Sequence, residues 1–139
     1  MDREGAQGWL DRYVEAWRSY DRDEIADLFS ADVAYRYHPY DEPVTGRDAV
    51  VASWLGEQAG EGDEAGAAST RDAPGTYDAH YAPVAVDGDT VVATGRSTYR
   101  DVPDGPVVRV YDNCFVLRFD ADGRCRELTE YYLKRPQGR

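Results

Sequence analysis

Long apolar runs are missing from this chain. None approaches the roughly 18–20 residues a membrane helix requires, and the opening MDREGAQGW has no apolar signal core. Cysteine is scarce: Cys114 and Cys125 are the only two, with no CxxC spacing and no histidine placed to activate or share a metal with them. On a hairpin they would lie several residues out of register, a poor geometry for a disulfide. Reduced, partly buried thiols and a cytoplasmic setting are therefore expected. Histidine is equally rare, with His38 and His80 alone. A metal site needs three converging ligands and no segment has ligand spacing, so neither metal nor cofactor is expected. No basic stripe offsets the acidic residues, and the net charge is −11. Such a surface repels phosphate backbones, which argues against nucleic acid as a partner. GxSxG elbows and phosphate-cradling glycine loops are absent too.

What is present is a foldable chain of 139 residues, 42% hydrophobic and 12% aromatic. One domain over residues 1–139 is the simplest reading, long enough to bury about two-thirds of its unfolded surface. Trp9, Leu10, Tyr13, Val14, Trp17 and Tyr20 follow a helical face across residues 5–20. Asp21 caps a second, short helix containing Ile25, Leu28 and Phe29. The alternation of Val33, Tyr35 and Tyr37 in DVAYRYHP marks a strand. Thr45 to Asp48 reads as a capping box opening a third helix that ends near Leu55. Residues 56–75, rich in Gly, Ala and acid, read as a flexible surface loop, either a plain spacer or a lid. Strand-like runs follow at about 76–86, 90–100, 106–119 and 124–134, with Asp-Gly turns between partners. The layout is α+β: one antiparallel sheet with helices on its apolar face.

The last two strands are long enough to suggest a curved sheet wrapping a cavity. Tyr111, Asn113, Phe115 and Leu117 share one parity; Leu128, Glu130 and Tyr132 share another. Glu130 thus stands among aromatic side chains. A carboxylate there would have a raised pKa and could act as acid or base. The alternatives are a solvated strand carboxylate, or an ion pair with Arg96, Arg109 or Arg126. Strand phase decides between them, since a slip of one residue would turn Glu127 or Thr129 inward instead. Trp9, Tyr13 and Trp17 face the same way, as an aromatic core or as the opposite wall of a pocket. Asn113 is a neutral hydrogen-bond anchor, with Asp112 facing away, toward a dimer partner in one reading. His38, ahead of Pro39 at a strand end, is a weaker acid/base candidate.

In the order and spacing of RYVEAW (12–17), DRDEIADLFSADVAYRYHP (21–39), EPVTGRDAV (42–50) and VLRFDADGRCRELTEYYLK (116–134), the chain resembles the SnoaL-like group of nuclear-transport-factor-2-like proteins. That resemblance implies a cone-shaped fold, with three N-terminal helices packed into a highly curved antiparallel sheet, and a homodimer formed through the outer sheet face. Beside the ketosteroid isomerases of that superfamily, the oxyanion-hole tyrosine falls on Tyr13. The general base falls on Tyr37, or on His38 if Pro39 is matched. The supporting tyrosine falls on Trp54, the oxyanion-hole acid on Phe115, a pocket tryptophan on Tyr132 and a small pocket residue on Glu130. One of three main catalytic groups is retained, so the steroid isomerase mechanism is not expected. Nor is the Arg-Asp-Asp set of epoxide hydrolases found, although Arg96, Asp112 and Glu130 could be misread as one. The function expected is a pocket for a small, largely apolar ligand, lined by Trp9, Trp17, Tyr35, Tyr37, Trp54, Tyr111, Phe115, Leu128 and Tyr132. If the protein is an enzyme, cofactor-free proton abstraction, isomerisation, cyclisation or dehydration would use Glu130 as base, with Tyr13 and Asn113 on the oxyanion. A non-catalytic binding or accessory module is the alternative, and a protein-interaction domain comes third.

Overall fold

The computed structural model describes residues 1–57 and 71–136, so most of the loop expected at 56–75 lies outside the described residues. Helix α1 covers Arg3–Ser19. Its N-cap is Asp2, whose carboxylate accepts from the Gly5 amide, and Tyr20 closes it in the left-handed region at φ 51°. Helix α2, Arg22–Asp27, is capped by Asp21, as its sequence predicts, but stops earlier than expected. Leu28 ends it, and Phe29 already belongs to strand β1, Phe29–Arg36. The apolar pair Leu28-Phe29 is ambiguous between helix and strand periodicity, and pairing with the C-terminal strand settles it.

A two-residue strand β2, Val44–Thr45, stands where the sequence reading opened the third helix at Thr45. Thr45 pairs with Ala34 rather than capping helix α3, Arg47–Leu55. The N-cap of α3 is Gly46, without a side-chain cap, and its φ of 98° lets the chain turn out of β2 directly into the helix. The expected capping box is therefore absent: the strand claims its threonine.

Strands β3 (Tyr77–Asp87), β4 (Thr90–Arg100), β5 (Val107–Phe119) and β6 (Cys125–Lys134) form the predicted meander. Gly88 and Gly123, both at positive φ, make the two tight turns. The six strands lie in the order β2-β1-β6-β5-β4-β3. The sheet is mixed, which corrects the all-antiparallel expectation, because β1 runs parallel to β6. The Leu28 carbonyl anchors that junction, accepting from the Cys125 amide at 2.9 Å and from the Trp9 indole at 3.0 Å. Trp9 is buried against Phe29 and Phe119, so α1 is pinned to the seam between the first and last strands. Both cysteines are free, and Cys114 faces Tyr131 across the ladder, far from Cys125. No described helix is long and apolar enough to cross a membrane.

Candidate functional site

Register sets the phase of the sheet. Glu130 stands opposite Phe115, two residues along β6 from the fully buried Leu128, which pairs with Leu117. Tyr35 on β1 aligns with Leu128. Glu130 therefore points into the helix-covered face, and Glu127 is exposed on the other. Tyr35 donates to Glu130 Oε2 at 2.6 Å. The Tyr13 hydroxyl lies 3.0 Å from that of Tyr35 and 3.4 Å from the same Oε2. The three groups make a closed triangle in which two buried phenols meet one half-buried carboxylate.

Each of the three arginines that could have neutralised Glu130 is engaged elsewhere. Arg96 pairs with Asp112 at 3.6 Å, Arg126 with Asp89 at 2.9 Å, and the Arg109 guanidinium lies over the Tyr99 ring at 4.3 Å. Desolvation then dominates, and it lifts the Glu130 carboxyl to about 7; the Tyr35 and Tyr13 hydrogen bonds and the charge of His38 pull against it. Tyr13 and Tyr35 are pushed up from the ordinary phenol range, first by burial and then by the Glu130 charge. Both stay protonated donors, and Glu130 is the group that titrates near neutrality.

Tyr37 binds Ser53 by a 2.7 Å hydroxyl pair, and its ring lies 4.8 Å from that of Tyr35. Trp54 meets Tyr13 edge-on at 5.1 Å, and Phe115 meets it at 5.6 Å. Where the isomerase comparison would set an acid, a packed ring stands. Trp9 and Leu128 lie in the core, sealed from solvent. Asn113 is not drawn to Glu130. Its Oδ1 accepts from Ser97 at 2.7 Å, and the Ser97 hydroxyl lies 3.1 Å from that of Tyr81. Tyr111 and Tyr132 meet edge-on at 5.5 Å along the rim. Beside them, His38 Nε2 lies 2.6 Å from the Tyr132 hydroxyl and Nδ1 lies 2.9 Å from Asp41. Trp17 is further off, donating to Asp72 at 3.1 Å and lying 4.5 Å from the Tyr77 ring.

Asp112 faces outward, held by Arg135 at 2.8 and 3.1 Å. The apparent Arg96–Asp112–Glu130 set is thus split across the two sheet faces. Among the described residues no group of His, Cys, Asp and Glu could hold a metal. A hollow of about 450 Å³ is lined by Met1, Asp89 and Phe119 to Gly123, at the hairpin end of β6 and away from Glu130.

The family model of the SnoaL-like domain matches residues 10–128. This chain belongs to that family. Its SnoaL-like domain is similar to a crystal structure from Kribbella flavida DSM 17836 of a protein named "putative ketosteroid isomerase", with a TM-score of 0.64 and 17% identity. The alignment covers 99% of this chain and 84% of the other. At that identity the likeness concerns the fold, an α+β arrangement of the nuclear-transport-factor-2-like kind. A search of curated proteins finds no match to the SnoaL-like domain.

Sequence reasoning placed Tyr35 only on the wall, yet it makes the shortest bond to Glu130. Its parity was visible, but the alignment of β1 with β6 was not. Asp41, Ser53, Asp72, Tyr81 and Ser97 were missed as partners. Only Asp41 carried a local signal, three residues beyond His38.

Proposed function

We propose that this SnoaL-like domain binds a small, largely apolar carbonyl compound beside Glu130 and removes the proton next to the carbonyl. One observation carries the reading: a carboxylate in no salt bridge among the described residues, lifted to about 7, under two tyrosine hydroxyls. Both recorded bonds fall on Oε2, so Oε1 is the oxygen offered to the substrate. When Glu130 takes the proton it becomes a donor. Protonation on Oε1 removes the negative charge that Oε2 shares, so Oε2 accepts less strongly and the Tyr13 hydroxyl, the longer of the two bonds at 3.4 Å, is freed to turn toward the developing oxyanion. Asn113 keeps its amide N–H groups for the same oxygen, because Ser97 occupies only its carbonyl. The ligand would lie against Tyr37, Tyr111, Phe115 and Tyr132, with Trp17 and Trp54 behind.

Benzylacetone is a suitable probe, an aryl ketone with exchangeable α-protons. In D₂O the wild-type protein should catalyse their loss from the proton NMR spectrum. The rate should rise with pH through about 7, because the base must be ionised. Glu130→Gln should reduce exchange by about a hundredfold or more while ligand-observed binding persists. Equal exchange by the variant would overturn the mechanism. A second reading, a non-catalytic binding module, is favoured by the closure of the triangle, since Tyr13, Tyr35 and Glu130 satisfy one another without a ligand. Binding without exchange would establish it.

We also propose a homodimer through the outer sheet face. Leu133, 76% exposed, and Tyr131, 44% exposed, stand there beside Cys114 and the Arg96–Asp112–Arg135 group.

A further inference from the structure

Asp41, His38 and Tyr132 form a linear chain of hydrogen bonds at the rim, outside the Glu130 triangle. His38 follows β1, Asp41 lies in the next loop, and Tyr132 comes from β6, so the chain bridges the parallel seam. An Asp41 carboxylate 2.9 Å from Nδ1 holds a proton on that nitrogen. Nε2 is then left to exchange a proton with the Tyr132 hydroxyl 2.6 Å away. The Tyr40 ring stacks on the imidazole at 5.1 Å and 9°, fixing its plane. Glu130 and Tyr132 share a face two residues apart, a spacing of about 7 Å along the strand. Tyr132 itself is 38% exposed, open to a ligand that has reached Glu130.

We propose that this chain is a second proton-transfer site, in which Tyr132 delivers to a β-oxygen of the substrate a proton supplied by His38, making β-hydroxy carbonyl compounds the substrate class and elimination of water the reaction. The inference rests on the Glu130 reading. Glu130 takes the α-proton, and the C–H electron pair becomes the new C=C bond. The C–O bond breaks, and its oxygen leaves with the electron pair. That oxygen takes the Tyr132 proton and departs as water, while Tyr132 takes the Nε2 proton of the imidazolium. The cycle closes when the Glu130 proton returns to His38 through solvent. Tyr132 need never become a phenolate, in keeping with a hydroxyl held above its ordinary range by burial and by the charge of Glu130. The groups facing His38 are Asp41, Tyr40, Tyr132 and, through its charge, Glu130; Tyr111 faces Tyr132 from β5. In this scheme Tyr132 is the catalytic residue, and His38 and Asp41 are positioning residues.

Two probes with one skeleton separate this site from the first. Benzylacetone reports α-exchange alone, and its β-hydroxy derivative reports elimination to benzylideneacetone by absorbance. Wild-type protein should do both, and Glu130→Gln should lose both. Tyr132→Phe and His38→Gln should lose elimination about a hundredfold, at least tenfold more than they lose exchange. Asp41→Glu should restore much of what Asp41→Asn loses. In ¹⁵N-histidine spectra, neutral His38 should carry its proton on Nδ1 in wild type and lose that preference in Asp41→Asn. Wild-type exchange without elimination, or equal elimination by Tyr132→Phe, would overturn the relay and leave the base reading standing. Absence of exchange in wild type would overturn both. A neutral His38 protonated on Nε2 would overturn the relay by itself.

Discussion

Glu130 is where side-chain chemistry and fold stability meet. Its carboxyl ordinarily ionises near 4.5, but in the folded protein it does so at about 7. As pH rises between those values the unfolded chain has lost the proton while the folded chain retains it, so this group lowers stability with rising pH. The full penalty, of the order of 3 kcal/mol, is reached above the folded value. Glu130→Gln removes it. The melting temperature of the variant should therefore gain on wild type between about pH 5 and pH 8, measured by calorimetry in matched buffers. Asp89 and Asp112 titrate in the opposite sense, held low by Arg126 and Arg135, but they are common to both proteins and cancel. A constant difference between the two proteins across that range would mean that Glu130 is solvated. The parity that Glu130 shares with Leu128 and Tyr132 was legible in the sequence, and the register of β6 with β1 and β5 turned it inward. The identity of its hydrogen-bond donors was not, because Tyr35 reaches it from a strand 95 residues away.

At the scale of elements, turns and caps were readable wherever one residue had a single competent role. Asp21 capped α2, and the Asp-Gly turns closed two hairpins. Reading failed where a residue had two roles: Thr45 could cap a helix or pair in a strand, and Phe29 could end a helix or begin β1. Gly95 shows a constraint that sequence could not reveal. It pairs with Tyr81 on one side and Asn113 on the other. A Cβ there would collide with the His80 carbonyl and the Tyr81 ring. Gly95→Ala should cost roughly 2–3 kcal/mol in urea unfolding, and it should displace Tyr81 from Ser97. A change of less than about 0.5 kcal/mol would show that β3 yields freely at this point.

For the whole molecule, the outer sheet face makes the test. Leu133→Glu alters a side chain already exposed in the monomer, so the melting point of an isolated chain should scarcely move. In light scattering coupled to gel filtration the wild type should run as a dimer, and the variant should shift toward monomer. A monomeric wild type at micromolar concentration would end the proposal. By itself the sequence determined the local order of the chain: the apolar face of α1, the meander of β3 to β6, and the parity that Glu130 shares with Leu128 and Tyr132. Those features follow from periodicity and turn chemistry, which act within a few residues. Only the tertiary structure decided that β1 runs parallel to β6, that Tyr13 and Tyr35 converge on Glu130, and that His38 meets Tyr132. Such contacts join strands distant in the chain, whose alignment is chosen by burying Trp9, Phe29 and Phe119 together and is written in no single segment.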